Sequence, residues 1–271
     1  MKIGTLVRID KACECTAAFQ KLLSMGFDNC QLVYKPAVYY KNEAEFIRGE
    51  ADRLGVDITA KLGGFHDNYN AGGDYAFVTS GLTSATFQRE RLEYAMHSVE
   101  FTRWLGITDN IFHAGFIPNN PLCQEYVTLV SGLKILCGYA KSIGANILYE
   151  TGTESPISLL NTIADVGTGN LFINFDTSNC LTYGFGNPVD AIYTYGPYIR
   201  NMHAKDGVPP TQPHSRGHET PIGEGEVDFP KVFERLHKLG YDGPVTIERE
   251  ISGPQQEADI RKAAEYLRTL L

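Results

Sequence analysis

The sequence lacks several features that define common functional classes. Its 271 residues carry 24 Lys and Arg against 32 Asp and Glu, which gives a formal net charge of −8. Nonspecific binding to nucleic acid depends on a basic surface, so this charge argues against such a partner. No apolar run approaches the roughly 20 residues of a membrane-spanning helix, and the N-terminus lacks the apolar segment of a secretion signal. We therefore expect no nucleic-acid or membrane partner and a cytoplasmic location.

Cysteine pairs with the spacing of a zinc site are also absent. None of the six cysteines belongs to a Cys-x-x-Cys motif, and Cys13 and Cys15 are too close together for a zinc knuckle. This pattern favours free thiols in a reducing compartment. A Gly-x-Gly-x-x-Gly or Walker-type loop is missing after the early strands, which disfavours a doubly wound open sheet, the main alternative fold.

The chain does show an alternation of short apolar runs and helical segments from end to end. Such an alternation is typical of parallel α/β folds, and the length suits a barrel, which typically needs about 250 residues. We predict a (β/α)8 TIM barrel in a single domain spanning residues 1–271. The predicted strands are Lys2–Val7, Asn29–Tyr34, Val56–Leu62, Asn110–Ala114, Asn146–Glu150, Leu171–Asp176, Ile199–His203 and Pro244–Glu248.

Two long connections, residues 63–86 and 206–228, follow the third and seventh predicted strands. In a TIM barrel the loops that follow strands lie on the catalytic rim. Loops longer than about 15 residues in a compact domain are usually lids or binding loops. We therefore expect both connections to border a functional site.

Four residues with metal-binding side chains stand at the ends of the last four predicted strands: Glu150, Asp176, His203 and Glu248. Because the carboxyl ends of all strands meet at one rim of a barrel, these side chains are expected to converge. Three carboxylates and one imidazole form an oxygen-rich donor set. Such a set favours Mn²⁺, Mg²⁺ or Co²⁺ over the Cys- and His-rich sites typical of structural zinc.

Other polar residues lie near the same predicted rim and are candidates for substrate binding. They are His66, His113, Asn179, Lys205, Arg216 and His218. The two cationic members, Lys205 and Arg216, have an alternative interpretation as local ion-pair partners of Asp206 or Glu219. A hydrogen-bonded loop histidine likewise needs no function, so His66 and His113 remain open on this evidence.

The strings around the four strand-end residues resemble a known family. They are Tyr-Glu150-Thr-Gly, Phe-Asp176-Thr-Ser-Asn, Met-His203-Ala-Lys-Asp, Pro221-Ile-Gly-Glu-Gly-Glu-Val-Asp-Phe229 and Gly240-Tyr-Asp-Gly-Pro-Val-Thr-Ile-Glu-Arg-Glu250. They resemble the sugar phosphate isomerase/epimerase group of xylose isomerase-like TIM barrels, which also contains ketose 3-epimerases, inosose dehydratases and endonuclease IV. The resemblance covers essentially the whole chain and is sharpest from about residue 146 onward.

The resemblance implies that the four strand-end residues bind one divalent ion, Mn, Mg, Co or Zn. Endonuclease IV-like members bind three zinc ions, and His66 and His113 match two of their additional ligands. Asn179, however, stands where a third such ligand would be a histidine. Arg216-Gly-His218 likewise replaces an Asp-x-His pair. These departures favour a single metal, and the resemblance further implies a possible homodimer or homotetramer.

The expected activity is a metal-dependent isomerisation or epimerisation of a small sugar, ketose or cyclitol. The metal would stabilise an enediolate, while Glu150 and Glu248 would serve as the acid and base that move the proton. The same intermediate could expel a β-hydroxyl group, which leaves a lyase open as an alternative: a keto-inositol dehydratase or a 3-keto-glycoside eliminase. An endonuclease IV-like metallohydrolase is the third alternative, against which the departures at Asn179 and Arg216 count.

Overall fold

The computed structural model describes residues 1–64 and 81–271, which form a closed parallel barrel surrounded by helices. Its strands are β1 (Lys2–Arg8), β2 (Asn29–Val33), β3 (Asp57–Leu62), β4 (Asp109–Phe112), β5 (Asn146–Glu150), β6 (Leu171–Asp176), β7 (Ile199–Ala204), β8 (Asp206–Val208), β9 (His218–Thr220) and β10 (Pro244–Ile247). Strands β1–β7 and β10 close the barrel, with β10 paired to both β7 and β1. The predicted (β/α)8 barrel is confirmed, and the open-sheet alternative is wrong.

Helices follow the barrel strands on the outside. In the described residues they are α1 (Cys15–Ser24), α2 (Lys41–Leu54), α3 (Gln88–Trp104), α4 (Gln124–Ser142), α5 (Pro156–Val166), α6 (Asn179–Thr182), α7 (Pro188–Tyr195), α8 (Phe229–Lys238) and α9 (Pro254–Arg268). The single-turn helix α6, directly after β6, was not predicted. Within the described part of the chain, no helix has the length and apolarity to cross a membrane.

Alternation of side chains along the strands divides the apolar core in two. One set points outward and packs against the helices, where it forms the larger cluster. The other set fills the barrel interior and consists of Val33, Ala60, Leu62, Ile111 and Leu148. Residues two positions further along a strand point to the same side, so the end of each strand places one more inward-facing side chain above this apolar layer.

The strand register sets the candidate residues at one level. Asp176 pairs with His203 across β6 and β7, and Glu150 pairs with Asn174 across β5 and β6. Glu248 follows β10 directly, and its backbone N–H donates to the carbonyl oxygen of Ala204 in β7, at 3.0 Å. The inward-facing side chains at the ends of four strands therefore meet at the carboxyl rim.

The connection at residues 206–228, predicted as a long loop, contains an antiparallel hairpin of β8 and β9. The buried carboxylate of Asp206 holds this connection in place. It accepts hydrogen bonds from the backbone N–H groups of Gly207, Gly223, Gly225 and Val227. A Cβ atom at Gly225 would lie 2.2 Å from Oδ1 of Asp206, which explains a glycine in the Gly-Glu-Gly string. Of the other long connection, residues 65–80 lie outside the described part.

Lys61 in β3 is a fully buried lysine that points toward α3. Its Nζ atom donates to the hydroxyl groups of Tyr39, at 3.0 Å, and Ser98, at 2.7 Å. In the described residues it forms no ion pair. Burial lowers the pKa of Lys61 well below its usual value, and the positive charge of Lys35 acts in the same direction.

Replacement of Lys61 should change how stability depends on pH. The folded protein binds fewer protons at Lys61 than the unfolded chain, so wild-type stability rises with pH toward the ordinary lysine pKa of about 10.4. Lys61→Met removes this contribution. The free energy of unfolding of the variant minus that of wild type should therefore be largest at low pH and fall as pH rises.

Urea denaturation between pH 6 and 9 measures this difference. Each unit by which the pKa is lowered corresponds to about 1.4 kcal/mol. Lys134→Met, at an exposed position of α4, is the matched control and should follow wild type. Parallel stability curves for wild type and Lys61→Met would contradict the prediction.

Candidate metal centre

Four buried side chains with metal-binding groups meet at the carboxyl rim of the barrel. Glu150 and Asp176 end β5 and β6, His203 lies near the end of β7, and Glu248 follows β10. None of the four is more than 5% exposed. One potential ligand atom from each side chain lies within 4.8 Å of the other three. The structure thus brings together all four residues that the sequence predicts as metal ligands.

The imidazole of His203 faces the three carboxylates. Its Nδ1 atom lies 2.7 Å from Oε1 of Glu150, 3.0 Å from Oε2 of Glu248 and 3.9 Å from Oδ2 of Asp176. In the described part of the chain, neither Nδ1 of His203 nor Oδ2 of Asp176 has a hydrogen-bond partner. Buried polar atoms normally have one, and a cation held among the four groups would satisfy both. The donor set therefore fits a divalent metal.

Protons compensate part of the negative charge when no cation is bound. Burial raises the pKa of Asp176 to about 8, and Glu248 and Glu150 act in the same direction, while Lys205 opposes them. Burial alone would lower the pKa of His203, but the charges of Glu150 and Glu248 outweigh it and raise the pKa well above its usual value. A divalent cation would take the place of these protons, because it supplies the positive charge they provide.

Two basic side chains border the carboxylates. Nζ of Lys205 lies 2.7 Å from Oε1 of Glu250, 3.6 Å from Oε2 of Glu248 and 3.8 Å from Oδ2 of Asp176. Nη2 of Arg8 lies 3.2 Å from Oε1 of Glu248. Burial alone would raise the pKa of Glu248, but Lys205 and the neighbouring imidazole outweigh it and hold the pKa well below its usual range. Glu248 therefore remains ionised.

A cavity of about 210 Å³ opens beside the cluster. Its lining residues are Asn179, Thr182, Lys205, Arg216, Gly217, Glu219 and Glu250. Asn179 connects the cavity to the cluster, because its backbone N–H donates to Oδ1 of Asp176 at 2.7 Å, while its own Oδ1 faces Nζ of Lys205 at 3.4 Å. Three of the predicted substrate-binding residues thus share one cavity next to the candidate metal centre.

The local ion pairs considered for Lys205 and Arg216 do not form. Glu219 forms an ion pair with Arg249 at 3.0 Å, and the carboxylate of Asp206 accepts hydrogen bonds from backbone N–H groups. In the part of the chain that the structure describes, Arg216 has no ion pair. Its guanidinium instead lies 3.8 Å from the ring centroid of Tyr183. Its charge is therefore available to a ligand in the cavity.

The predicted histidines differ in where they lie. His113 follows β4 and is half-buried; burial lowers its pKa, while Glu150 and Glu248 act in the opposite direction. His218 is exposed in β9, opposite Val208, and is not among the residues that line the cavity. His66 lies outside the described residues.

Sequence reasoning missed three residues that contact the cluster, Arg8, Gln31 and Asn174, and also Glu250, which pairs with Lys205 beside it. Gln31 contacts His203 and Asn174 contacts Glu150, both through hydrogen bonds inside the barrel. A signal was present for these two, since each is a single polar residue inside an otherwise apolar strand core, Cys-Gln-Leu-Val and Phe-Ile-Asn-Phe. An amide at such a position needs a buried partner.

Comparisons with known proteins agree with this architecture. The family model described as xylose isomerase-like TIM barrel matches residues 19–270. A xylose isomerase domain protein from Planctomyces limnophilus is 30% identical, with a TM-score of 0.90, over 99% of this chain and 96% of that one. An inosose dehydratase from Clostridium beijerinckii is 23% identical over 71% of this chain and 74% of its own length. A 3-keto-D-glucoside 4-epimerase from E. coli has a TM-score of 0.74 over 99% of both chains, and at 18% identity it supports the fold alone.

Divalent cations should stabilise the folded protein through His203. We expect Mn²⁺ added to chelator-treated protein to raise the free energy of unfolding, by about 2.7 kcal/mol at 100 times the dissociation constant. Addition of Mn²⁺ should leave the free energy of unfolding of His203→Ala almost unchanged, because this variant lacks one of the four proposed ligands. Thermal unfolding monitored by circular dichroism measures both.

The control is His237→Ala, which removes an exposed histidine of α8 and should keep the full response to Mn²⁺. An equal stabilisation of wild type and His203→Ala would place metal binding elsewhere on the protein.

Proposed function

Because the chain belongs to the xylose isomerase-like TIM barrel family, we propose that it is a divalent-metal-dependent isomerase or epimerase of a small sugar, ketose or cyclitol. The family predicted from the sequence is confirmed, whereas the reaction and the substrate are our proposal. One observation carries it: two glutamates, an aspartate and a histidine converge at the rim, and Nδ1 of His203 and Oδ2 of Asp176 have no hydrogen-bond partner within the described residues. The names of the epimerase and dehydratase relatives support a carbohydrate substrate.

The proposed metal ligands are Glu150, Asp176, His203 and Glu248, which would hold one ion of Mn, Mg, Co or Zn. When bound there, the ion supplies Lewis-acid stabilisation of the negative charge that develops on substrate oxygen atoms. Burial of all four side chains strengthens this effect, since electrostatic interactions are stronger where water is excluded. A substrate can reach the cluster from the adjoining cavity that Asn179 and Lys205 line.

Glu150 and Glu248 are the proposed acid and base. Glu150 ends β5 and Glu248 follows β10, three strands away around the barrel, and both carboxylates approach Nδ1 of His203. One carboxylate removes the proton from the carbon next to the substrate carbonyl, and the other side chain returns a proton. Return to the opposite face of the same carbon inverts it, whereas return to the neighbouring carbon interconverts aldose and ketose. Lys205 and Arg8 keep Glu248 ionised, which a proton acceptor requires.

Substrate oxygen atoms are the proposed partners of the polar groups around the cavity. Arg216, which stacks on Tyr183 and has no ion pair in the described residues, offers donors in a fixed plane. Lys205 and Asn179 are the other proposed contacts in the cavity. His113, which follows β4 and is not among the residues that line the cavity, is a further proposed contact on the rim. The contributions predicted for His66 and His218 stay predictions, because His66 lies outside the described residues and His218 is exposed on β9.

A lyase is the second candidate, and the similarity to an inosose dehydratase favours it. Removal of the same proton would be followed by loss of a β-hydroxyl group instead of reprotonation. Solvent deuterium separates the two reactions. An isomerase or epimerase returns a ketose labelled at the exchanged carbon, whereas a dehydratase produces an unsaturated or deoxy product with the loss of one water.

The endonuclease IV-like alternative has less support. Asn179 and Arg216 replace residues that the resemblance implies for a three-zinc site, and the net charge is −8. In the residues that the structure describes, one cluster of four metal-binding residues is present. A phosphodiester substrate would also meet repulsion from a surface of this charge.

Glu150→Gln should strongly reduce turnover and leave the fold intact. Loss of a general base costs typically 10² to 10⁴ in rate, and the glutamine retains an oxygen atom that can face the cation. The measurement is deuterium exchange from solvent into a panel of ketoses and inososes, at saturating Mn²⁺ and with metal content determined in parallel.

Glu224→Gln changes an exposed glutamate that pairs only with Lys262 in the described residues, and it should keep wild-type activity. Exchange at the wild-type rate by Glu150→Gln would remove Glu150 from the mechanism.

Arg216→Ala should raise KM with little effect on kcat, because Arg216 is proposed to bind the substrate equally before and during the reaction. A tenfold rise would correspond to about 1.4 kcal/mol of lost binding. The matched control is Arg235→Ala. Arg235 lies in α8, and its guanidinium stacks in the same way on Tyr193, 4.1 Å from the ring centroid. Unchanged KM in Arg216→Ala would place the substrate elsewhere on the rim.

A further inference from the structure

A chain of hydrogen bonds crosses the barrel interior from His203 to Glu150. Nε2 of His203 lies 2.6 Å from Oε1 of Gln31. The amide nitrogen of Gln31 donates to Oδ1 of Asn174 at 3.2 Å, and the amide nitrogen of Asn174 donates to Oε2 of Glu150 at 3.2 Å. All four side chains are at most 2% exposed. Two amides thus join the imidazole to one of the carboxylates that it faces.

The chemistry of the groups permits one direction for this chain. An ionised carboxylate only accepts hydrogen bonds, so Asn174 must turn its NH₂ group toward Glu150. The oxygen of Asn174 then faces Gln31, which must donate to it. The oxygen of Gln31 is left to face His203, and at 2.6 Å two acceptors would repel each other. Nε2 of His203 therefore carries a hydrogen and donates.

This direction determines the tautomer of the histidine. In a neutral imidazole one nitrogen donates and the other accepts, so a proton fixed on Nε2 leaves a lone pair on Nδ1. That lone pair points at Oε1 of Glu150 and Oε2 of Glu248, 2.7 Å and 3.0 Å away. Nδ1 is also among the buried atoms without a hydrogen-bond partner in the described residues. When no cation is bound, a second proton on Nδ1 can face the carboxylates at these distances; a divalent cation would replace that proton and bind the lone pair.

We infer that Gln31 and Asn174 are positioning residues that hold His203 in the Nε2–H tautomer and so direct the Nδ1 lone pair into the metal centre. The inference rests on the proposed function, because it presumes a metal at this site. The same chain holds Oε2 of Glu150 and leaves Oε1 of that residue to the cation. Partners that orient metal-bound histidines commonly change metal affinity 10- to 100-fold.

The two amides act as a unit. If Asn174 is lost, nothing orients the amide of Gln31, which can then turn its NH₂ group toward His203 and favour the other tautomer. If Gln31 is lost, Nε2 has no acceptor. Breaking the chain at either position should therefore have the same consequence, and breaking it at both should add little.

The test uses the full chain, stripped of metal with a chelator and titrated with Co²⁺. We expect Gln31→Met and Asn174→Leu each to weaken Co²⁺ binding 10- to 100-fold, and the double variant to be no weaker than the more affected single variant. Independent packing effects would instead add in the double variant. The visible absorption of bound Co²⁺ reports whether the coordination geometry changes.

Thr246→Val is the matched control. Thr246 pairs with His203 across β10 and β7, is fully buried, and its hydroxyl has no hydrogen-bond partner in the described residues. The change removes a polar group from the same barrel interior without touching the chain, so Co²⁺ binding should stay at the wild-type level. A loss as large as that of Gln31→Met would show that any change of polarity there disturbs the site and would overturn the inference.

A measurement on the unchanged protein keeps the inference testable if a variant does not fold. With ¹⁵N-labelled histidine and bound Zn²⁺, NMR should show His203 protonated at Nε2 and metal-bound through Nδ1, with His203→Ala used to assign its signals. Protonation at Nδ1 would overturn the inference, as would wild-type Co²⁺ affinity in Gln31→Met. Failure of wild type to bind Co²⁺ or Zn²⁺ would instead refute the proposed metal centre itself.

Discussion

The constraint on which the structure depends is the concentration of three buried carboxylates in one small space. Glu150, Asp176 and Glu248 are at most 5% exposed and meet around one imidazole. Buried charges are unfavourable unless they are paired, so the surroundings must supply positive charge. Lys205 and Arg8 supply part of it from fixed positions, and His203 presents Nδ1 to the same centre. A divalent cation would complete this balance, which is why we propose a metal centre here and not a structural polar network.

The closed barrel makes this concentration possible, because it anchors each charged group on a different strand. A carboxylate at a strand end is supported below by the inner apolar layer, in which Leu148 lies two residues before Glu150. The amides of Gln31 and Asn174 lie inside the barrel, where they join His203 to Glu150 through hydrogen bonds. Asp176 is held instead from the segment after β6, where the backbone N–H groups of Ser178 and Asn179 donate to its Oδ1 atom, so both the barrel interior and this segment orient the ligand atoms.

The candidate site has two parts with different proposed roles: the cluster at the rim carries out the reaction, and the adjoining cavity binds the substrate. In the proposed function, the carboxylates and the imidazole determine what can happen to a proton next to a carbonyl group, a step common to isomerisation, epimerisation and dehydration. The cavity around Arg216, Asn179 and Lys205 is proposed to determine which substrate oxygen atoms are bound, and in which orientation.

The sequence by itself determined the barrel, the family and the four residues of the candidate centre, because each is expressed locally. Strand periodicity, glycines after helices and polar residues at strand ends need no knowledge of distant contacts. Only the tertiary structure decided that Gln31 reaches His203 and Asn174, which are 172 and 143 residues away. It also decided that Lys205 pairs with Glu250, and that Arg216 stacks on Tyr183 while His218 faces solvent. The physical reason is that contacts across a barrel depend on the register between strands and on the hairpin between β7 and α8, which sequence spacing alone does not specify.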